Sequence, residues 1–303
     1  MLDGWQVDWC RRELAATPVE ELTSGTPMSG VRALRLDDGR AVVVKARIDP
    51  TQRAQTCLIA QRAAADAGFP CARPLTGLTL VGRLAVHAEE WRPGGVIEID
   101  DSPAAAVRSA RRYARATAIT RRIVDSPPLP NPEWVRWEHE GPNHWPPNPL
   151  HDDRPGADFP DRDLVEIAGL VRKRLQSAAL PRILGHGDWE AQNLRWENGR
   201  LHTVLDWDSL AWLPEAALVG AAAGAFATAS APTLAPLASS EAFLAAYQEQ
   251  CGRFSREERE IAWAASLWPA LHNARAEILW KNPPVALTQV LAQGEDRLRR
   301  AGI

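Results

Sequence analysis

The chain has 303 residues, which is enough for one large domain or two modest ones with a substantial core. Its apolar fraction of 45% and its charged fraction of 24% are ordinary for a globular protein. The formal net charge of −3 disfavours a dedicated nucleic-acid-binding protein, because such proteins usually carry a surplus of basic residues.

The cysteines and the chain's apolar runs exclude several further classes. Four scattered cysteines form no Cys-x-x-Cys pair, so we expect reduced thiols in the cytoplasm rather than a zinc site or a disulfide framework. The first residues contain early acidic groups and do not predict a secretory signal. The uncharged run 216–240 is long enough for a membrane span, but small residues dominate it and Pro232 and Pro236 interrupt it. We therefore expect no contact with a membrane.

Residues 1–88 predict a small α+β lobe. The segment 31–48 predicts two strands joined by Asp-Asp-Gly-Arg, and 77–91 predicts two more strands joined by a Val-Gly turn. Between these pairs, one helix is predicted from about Pro50 to Gly68. Antiparallel strands with one inserted helix are typical of a small α+β domain.

The remaining residues, 96–303, predict a mainly helical lobe that follows a connector at 89–95. Helical spacing recurs in five segments, which are 103–124, 161–180, 239–250, 255–280 and 286–301. The segment 126–160 interrupts them with ten of the chain's 24 prolines and with Trp134, Trp137 and Trp145. Exposed tryptophans need partners, so we expect an ordered lid or binding loop, with a flexible surface loop as the alternative.

The dipeptide Asn198-Gly199 between two alternating runs predicts a two-residue hairpin turn. That turn places apolar residues on one face and polar residues on the other, with Asn193 and Asp206 on the polar face, about 7 to 8 Å apart. The predicted register pairs Glu197 with Arg200, Arg195 with His202, and Asn193 with Val204.

Asn193 and Asp206 are candidate ligands of Mg²⁺, which prefers such oxygen ligands and keeps other positions for water or phosphate. Asp188 would lie on the loop that enters the hairpin, close enough to act on a substrate. Each of these residues taken alone has a structural alternative, as a loop cap or an Asx turn. Together with Lys45 on an earlier predicted strand, they favour a catalytic site.

These residues carry a family resemblance. His186-Gly187-Asp188 followed by Asn193, and then Asp206-Trp207-Asp208, resembles the aminoglycoside phosphotransferase and choline kinase-like family. That resemblance implies an α+β, bilobal protein-kinase-like fold, with a small antiparallel-sheet lobe containing one helix and a mainly helical second lobe. It also implies a Mg²⁺-dependent enzyme that moves a phosphoryl group from ATP, or alternatively GTP, to a hydroxyl group of a small molecule.

The resemblance also implies roles for individual residues. Asp188 would be the catalytic base, Asn193 and Asp206 the Mg²⁺ ligands, and Lys45 the residue that holds the α- and β-phosphates. The backbone of Glu89, Glu90 and Trp91 would contact the adenine, whereas His186 would position the catalytic loop.

Two positions depart from the family pattern. The helix residue expected to pair with Lys45 is Cys57 rather than a glutamate, with Gln55 and Gln61 as the nearest polar substitutes. Arg195 lies on the metal-facing side of the hairpin, where relatives usually have an apolar residue under the base. It could stack on the purine or reach a phosphate, or the nucleotide pocket could be altered. The missing acid motivates a second hypothesis, a kinase-like protein that binds nucleotide or metabolite with little or no catalysis.

The acceptor is expected between the proline- and tryptophan-rich segment 126–160 and the C-terminal helices. An acidic segment within 152–166 suits a cationic acceptor such as an aminoglycoside or an amino sugar, with a solvated acidic loop as the alternative. The predicted substrate-site residues are Trp134, Trp137, Trp145, Asp152, Asp153, His272, Asn273 and Glu277.

Overall fold

The computed structural model describes residues 4–24, 30–123, 127–141, 144–146 and 161–303. The helices in these ranges are α1 Gly4–Leu14, α2 Arg53–Asp66, α3 Pro103–Thr120, α4 Arg162–Gln176, α5 Glu215–Ala225, α6 Leu237–Cys251, α7 Arg256–Trp280 and α8 Val285–Arg300. The strands are β1 Pro18–Ser24, β2 Val31–Leu36, β3 Ala41–Ile48, β4 Thr79–Val81, β5 Leu84–Glu90, β6 Arg182–His186, β7 Leu194–Glu197, β8 Arg200–Val204 and β9 Leu210–Pro214.

The first five strands form one antiparallel sheet in the order β1-β2-β3-β5-β4. Both predicted strand pairs, β2–β3 and β4–β5, are present. The turn between β4 and β5 is formed by Gly82 and Arg83 rather than by the predicted Val-Gly, because Val81 pairs with Leu84. Strands β3 and β5 lie side by side, so the Lys45 strand is central in the sheet and runs directly beside the strand that leads into the connector.

The sheet carries one helix more than the sequence predicted. Besides α2, helix α1 packs on the sheet through Trp9, Cys10 and Leu14, which are buried with the apolar residues of β2, β3 and β5. The indole nitrogen of Trp9 donates a hydrogen bond to Thr79 Oγ1 at 2.6 Å. The tryptophans Trp5 and Trp9, four residues apart, carried the helical signal for this element.

The second lobe is mainly helical, as predicted, and α5 lies at its centre. Every residue of α5 after Glu215 is buried, and a Cβ at Gly220 or Gly224 would lie 2.0 Å from a backbone carbonyl oxygen of α7. The small residues of the uncharged run therefore allow two helix backbones to approach closely. None of the helices in the described ranges has both the length and the apolarity that a membrane crossing requires.

The hairpin β7–β8 contacts both the connector and the first lobe. Val96 and Trp196 exchange two backbone hydrogen bonds of 2.8 Å, and the Val204 amide donates to Pro70 O at 2.8 Å. Arg92 donates to the carbonyl oxygens of Cys71 and His202. These bonds fix the hairpin, and with it the motif residues Asn193 and Asp206, against the edge of the first lobe.

A buried arginine connects the C-terminal helix to the rest of the second lobe. Arg297 is 0% exposed and donates to Ser266 Oγ, Ala235 O and Ser240 Oγ. Burial lowers the pKa of its guanidinium to about 9. Because these acceptors are also removed from water, they depend on Arg297 for their hydrogen bonds.

We expect Arg297→Ala to lower the free energy of unfolding by about 3 kcal/mol or more, since it leaves several buried acceptors without donors. Arg299→Ala, two residues away and exposed, is the matched control and should change it by less than about 0.5 kcal/mol. Urea unfolding followed by circular dichroism measures both. Equal effects of the two substitutions would contradict the assigned role of Arg297.

Candidate active site

The hairpin forms at the predicted turn, but its register differs from the prediction beyond the first two pairs, Glu197–Arg200 and Trp196–Leu201. Asn198 and Gly199 both have positive φ, at 50° and 70°, and Glu197 pairs with Arg200 as predicted. An irregularity between Arg195 and Trp196 then shifts the pairing.

The predicted pairs Arg195–His202 and Asn193–Val204 are therefore wrong, because Arg195 pairs with Thr203 and Leu194 with Val204. The shift also turns Val204, which was predicted on the polar face, into a core residue that is 1% exposed. A bulge of this kind inserts one residue into one strand and cannot be recognised from alternation alone.

His186 holds the loop that precedes the hairpin. Its Nδ1 accepts a hydrogen bond from the Asp188 amide at 3.2 Å, and its Nε2 lies 3.0 Å from Leu205 O. These two contacts require a neutral ring with the proton on Nε2. Burial lowers the pKa of His186, which favours this neutral form. The histidine thus ties the Asp188 loop to the end of β8.

Asp188, Asn193 and Asp206 lie together at the open end of the hairpin. The Asn193 side-chain amide donates to Asp188 Oδ2 at 2.7 Å and to Asp188 O at 3.0 Å. The Leu205 amide donates to Asn193 O at 2.8 Å, which places the residue before Asp206 directly beside Asn193. The Asn193 side-chain oxygen makes none of these bonds and so stays available as a ligand.

Asp206 has an unusual backbone. Its φ of 53° and ψ of 49° lie in the left-handed region, which is costly for a residue with a Cβ. The hydroxyl of Ser209 donates to Asp206 Oδ2 and fixes the carboxylate. Strain of this kind persists where the surrounding structure enforces it, commonly at functional sites.

Burial dominates the electrostatics of this group, and the neighbouring carboxylates add to its effect. Burial, and secondarily the charge of Asp206, raise the pKa of Asp188 to about 7. Glu190, which the sequence analysis missed, is 7% exposed and accepts a hydrogen bond from Gln192 Nε2 at 2.6 Å. Burial and the neighbouring Asp188 raise the pKa of Glu190 well above its ordinary range. Its position inside the His-Gly-Asp-x-x-x-x-Asn motif was the available signal.

Lys45 has an acidic partner, and that partner is on a strand rather than on a helix. Lys45 Nζ lies 3.0 Å from Glu89 Oε1, and the two side chains are 7% and 5% exposed. Gln61 of α2 donates to Glu89 Oε2 at 2.7 Å and orients the carboxylate. Burial favours the neutral amine, but the carboxylates of Glu89 and Asp208 outweigh it and raise the pKa of Lys45.

Asp208 forms a second buried ion pair beside the first. Its Oδ2 lies 2.5 Å from Arg47 and 3.8 Å from Lys45. Burial opposes the charged carboxylate, but the two cations outweigh it and lower the pKa of Asp208. Arg47 follows Lys45 by two residues on β3, so both side chains point to the same side of the sheet.

Lys45 and Arg47 border a cleft of about 550 Å³ between the sheet, the connector and the hairpin, whereas Asp188 and Asn193 are not among its described lining residues. The predicted nucleotide-site residues Lys45, Glu89, Glu90, Trp91 and Arg195 all line it, together with Asp206. Arg195 donates to Gln192 O at 3.0 Å. Gly95 permits this placement, because a Cβ there would lie 2.8 Å from the Cβ of Arg195.

The structure places some of the predicted acceptor residues near Asp188 and others in the core. Trp134 is half-buried and donates from its indole nitrogen to Gly187 O at 3.0 Å, directly beside Asp188. His272 and Asn273 are half-buried on α7. Helix α7 packs against the short 3₁₀ helix Glu133–Val135, which contains Trp134. Asp152 and Asp153 lie outside the described residues.

Trp137 and Trp145 are core residues, contrary to the prediction. Trp137 is 3% exposed and packs edge-to-face on Trp268, and Trp145 is 6% exposed with the Arg275 guanidinium over its ring. Tryptophans in a proline-rich segment have the same sequence signal whether they bind a ligand or anchor the segment to the core.

Glu277 is likewise structural rather than part of an acceptor site. It is 4% exposed, and its two carboxylate oxygens accept hydrogen bonds from the amides of Ala286 and Leu287 at 2.8 and 3.0 Å. It therefore caps the first turn of α8, where a negative charge is favourable.

A model of the phosphotransferase enzyme family matches residues 24–217, which is more than half of the chain. The chain belongs to this phosphotransferase family. The resemblance inferred from the motif residues is thereby confirmed. No curated protein sequence matches this phosphotransferase significantly.

Solved structures match the phosphotransferase over nearly its whole length. An aminoglycoside phosphotransferase from Alicyclobacillus acidocaldarius is 15% identical, with a TM-score of 0.59 over 100% of this chain and 95% of that chain. An amicoumacin kinase is 12% identical, with a TM-score of 0.64 over 98% and 93%. A spectinomycin phosphotransferase is 13% identical, with a TM-score of 0.52 over 97% and 99%. At these identities the likeness establishes the fold, and it confirms the predicted bilobal kinase-like α+β class.

We expect Glu89→Gln to lower the free energy of unfolding by about 3 kcal/mol, because it leaves the buried Lys45 ammonium without its nearest counter-charge. Lys45→Met combined with Glu89→Leu should be less destabilising than Glu89→Gln alone, since it removes both charges together. Urea unfolding of the variants measures the coupling, with the exposed Glu20→Gln as the charge control. Independent, additive effects of the Lys45 and Glu89 substitutions would contradict the pairing.

We expect Glu277→Ala to lower the free energy of unfolding by about 1 to 2 kcal/mol through loss of the α8 cap. The Michaelis constant for any acceptor should stay unchanged, because the carboxylate is occupied by backbone amides. Thermal unfolding and steady-state kinetics test the two halves of this expectation. A large rise in the Michaelis constant for the acceptor, with unchanged stability, would instead assign Glu277 to the acceptor site.

Proposed function

We propose that this protein transfers the γ-phosphate of ATP to a hydroxyl group of a small molecule, with Mg²⁺ at Asn193 and Asp206. The observation that carries the proposal is the placement of Asp188, Asn193 and Asp206 beside a cleft that also contains the buried Lys45–Glu89 pair. Phosphoryl transfer requires mainly positioning and charge neutralisation, and these groups supply both.

The metal-ligand set fits Mg²⁺. Asp206 contributes a carboxylate fixed by Ser209, and Asn193 contributes its side-chain oxygen. The described residues contain no cluster of three or more histidine, cysteine or acidic side chains suited to a metal. Mg²⁺ fits such a sparse site because it is commonly held by one or two protein ligands plus phosphate oxygens. When bound, the ion neutralises phosphate charge.

We assign nucleotide binding to the first lobe, 1–88, and to the connector 89–95. Lys45 and Arg47 present two cations to the cleft on one side of β3, where they suit phosphate oxygens. Glu89 positions Lys45, and the backbone of Glu90 and Trp91 suits a purine, with GTP as the alternative to ATP. The amicoumacin kinase of the same fold was solved with AMP-PNP and Ca²⁺, which supports a nucleotide and a divalent cation here.

Asp188 acts as the general base. Its carboxylate is held by Asn193, and its backbone is held by His186, so its direction is fixed before any substrate binds. A carboxylate in that position accepts the proton of the attacking hydroxyl as the phosphoryl group is transferred.

The acceptor is assigned to the second lobe, 96–303, beside Trp134, His272 and Asn273. Asp188, Glu190 and Asp206 lie close enough together for their charges to repel, and a hydroxylated acceptor bearing an amino group would offset that repulsion. An aminoglycoside-like antibiotic or an amino sugar has this chemistry, and the spectinomycin phosphotransferase of the same fold was solved with ADP and spectinomycin.

The alternative, a nucleotide-binding protein without catalysis, rested on the missing helix acid. Glu89 supplies a carboxylate to Lys45 from β5, so the absence of an acid at Cys57 leaves no deficit. A binding protein would also have no use for a fixed Asp188. Both observations favour the enzyme.

We expect Asp188→Asn to lower the transfer rate by about 10²- to 10⁴-fold, because it removes the general base. Stabilisation of the protein by ATP and Mg²⁺ should persist, since Asp188 is not assigned to nucleotide binding. A phosphoryl-transfer screen against aminoglycosides, amino sugars and choline-like alcohols provides the acceptor, and a thermal shift provides the binding readout. Transfer at the wild-type rate by Asp188→Asn would exclude the mechanism.

Asp206→Ala should abolish the Mg²⁺-dependent part of the ATP-induced thermal shift, because it removes the carboxylate ligand. Asp66→Asn, an exposed aspartate of α2, is the control and should leave the shift unchanged. A wild-type protein that ATP and Mg²⁺ fail to stabilise would sink the nucleotide assignment itself.

A further inference from the structure

A second concave surface lies outside the cleft and shares none of its described lining residues. This groove has a volume of about 590 Å³ and lies between α3, the turn of the β7–β8 hairpin and the end of α6. Its lining includes Arg108, Arg111, Arg112, Arg115, Trp196 and Gln250.

The four arginines form a row along one face of α3. Their spacing of i, i+3, i+4 and i+7 places them on the same side of a helix, over a length of roughly 10 Å. Like charges at this spacing destabilise an isolated helix. Folding of α3 therefore gives no reason for the row, since its buried face already packs through Tyr113 and Ala110.

Within the described residues, carboxylates reach this row only at Arg108, and at its other end Arg115 has a backbone carbonyl as its hydrogen-bond partner. Arg108 lies 3.4 Å from Glu98 and 3.5 Å from Asp100, and Arg115 donates to Gly68 O at 2.9 Å. Within the described part of the chain, neither Arg111 nor Arg112 makes an ion pair or a hydrogen bond. No carboxylate is among the described residues that line the groove.

We propose that this groove binds a small molecule that carries two or more phosphate groups. Guanidinium groups bind phosphate oxygens in a bidentate manner, and a row of them matches several linked anionic groups better than a single one. The volume is that of a small-molecule site. The chain as a whole carries a net charge of −3, which disfavours a long polyanion as the ligand.

The groove is close to the catalytic loop but separate from it. The buried side of α3 donates Tyr113 Oη to His186 O at 3.0 Å, and Ser109 Oγ accepts from the Trp189 indole at 2.9 Å. A phosphate-bearing ligand would thus sit on the outer face of the helix whose inner face holds the Asp188 loop. This site does not depend on the proposed transferase activity.

The test is a titration of inorganic tripolyphosphate into the full chain at physiological ionic strength with a chelator present, followed by calorimetry and thermal shift. The chelator removes divalent cations, so the Mg²⁺-dependent site contributes little. We expect saturable binding to the wild type and a loss of about 30-fold or more in Arg111→Gln/Arg112→Gln, which removes two charge-assisted contacts.

Three variants locate the binding. Arg122→Gln removes an exposed arginine just beyond α3 and should bind like the wild type. Arg111→Lys/Arg112→Lys keeps the charge and should retain part of the affinity. Lys45→Met/Glu89→Leu removes a cation from the cleft without leaving a buried charge unpaired and should leave tripolyphosphate binding unchanged, which separates this site from the nucleotide site.

Several results would overturn the proposal. One is absence of saturable binding to the wild type, and another is loss of binding in Lys45→Met/Glu89→Leu with retention in Arg111→Gln/Arg112→Gln. Binding of single-stranded DNA or anionic vesicles through the same arginines, without competition from tripolyphosphate, would also overturn it in favour of a macromolecular partner. Circular dichroism of each variant confirms that the exposed substitutions leave the fold intact.

Discussion

The site depends on a set of buried charges at the junction of the two lobes, where Lys45, Glu89, Arg47 and Asp208 neutralise one another. A buried charge without a partner costs several kcal/mol, so each of these residues requires the others. The partners come from β3, from β5 and from the loop after β8. Assembly of the charge set therefore requires the sheet and the hairpin to be in place together, which makes the geometry of the cleft a consequence of folding.

The other side of the site has the opposite charge balance. Asp188, Glu190 and Asp206 lie close together, and burial, followed by the charge of a neighbouring carboxylate, raises the pKa of Asp188 and of Glu190. Such a group of acids is unfavourable by itself. A divalent cation or a cationic acceptor would relieve that repulsion. Binding of such a cation would therefore stabilise the acidic residues. Lys45 and Arg47 are already paired with Glu89 and Asp208, and they would exchange these carboxylates for phosphate oxygens if a phosphate bound.

The sequence predicted the elements that carry strong local signals. The Asn-Gly turn, the strand pairs of the first lobe and the long helices follow from turn chemistry and periodicity, and the structure confirms them. The sequence could not show the irregularity between Arg195 and Trp196, because polar and apolar residues alternate on both sides of it. Trp137, Trp145 and Glu277 had the composition of a ligand site, yet tertiary packing makes them structural. Burial is a property of the assembled lobe, and polar or aromatic residues on a helix or loop carry no local mark of it.

Strand register identifies the partner of Lys45, whereas separation along the chain does not. Lys45 lies opposite His87 on β5, so Glu89, two residues further, is on the same side of the sheet. A search for the partner on α2 finds Cys57, whose Sγ instead lies 3.8 Å from Asp208 O. The register of two central strands was the available signal, and it requires knowing that β3 and β5 are neighbours although α2 and β4 separate them in sequence.

This arrangement has a consequence for regulation. In protein kinases the lysine pairs with a glutamate on a helix, so movement of that helix can make or break the pair. Here both members of the Lys45–Glu89 pair belong to one sheet, and α2 contributes only the amide of Gln61. Helix α2 is anchored instead by Arg53, which donates to the carbonyl oxygens of Pro130, Asp208 and Leu210. The pair therefore forms whenever the sheet folds, and displacement of α2 would change the orientation of Glu89 without separating the two charges. Movement of α2 would therefore not break this pair in the way that movement of the helix breaks the corresponding pair in protein kinases.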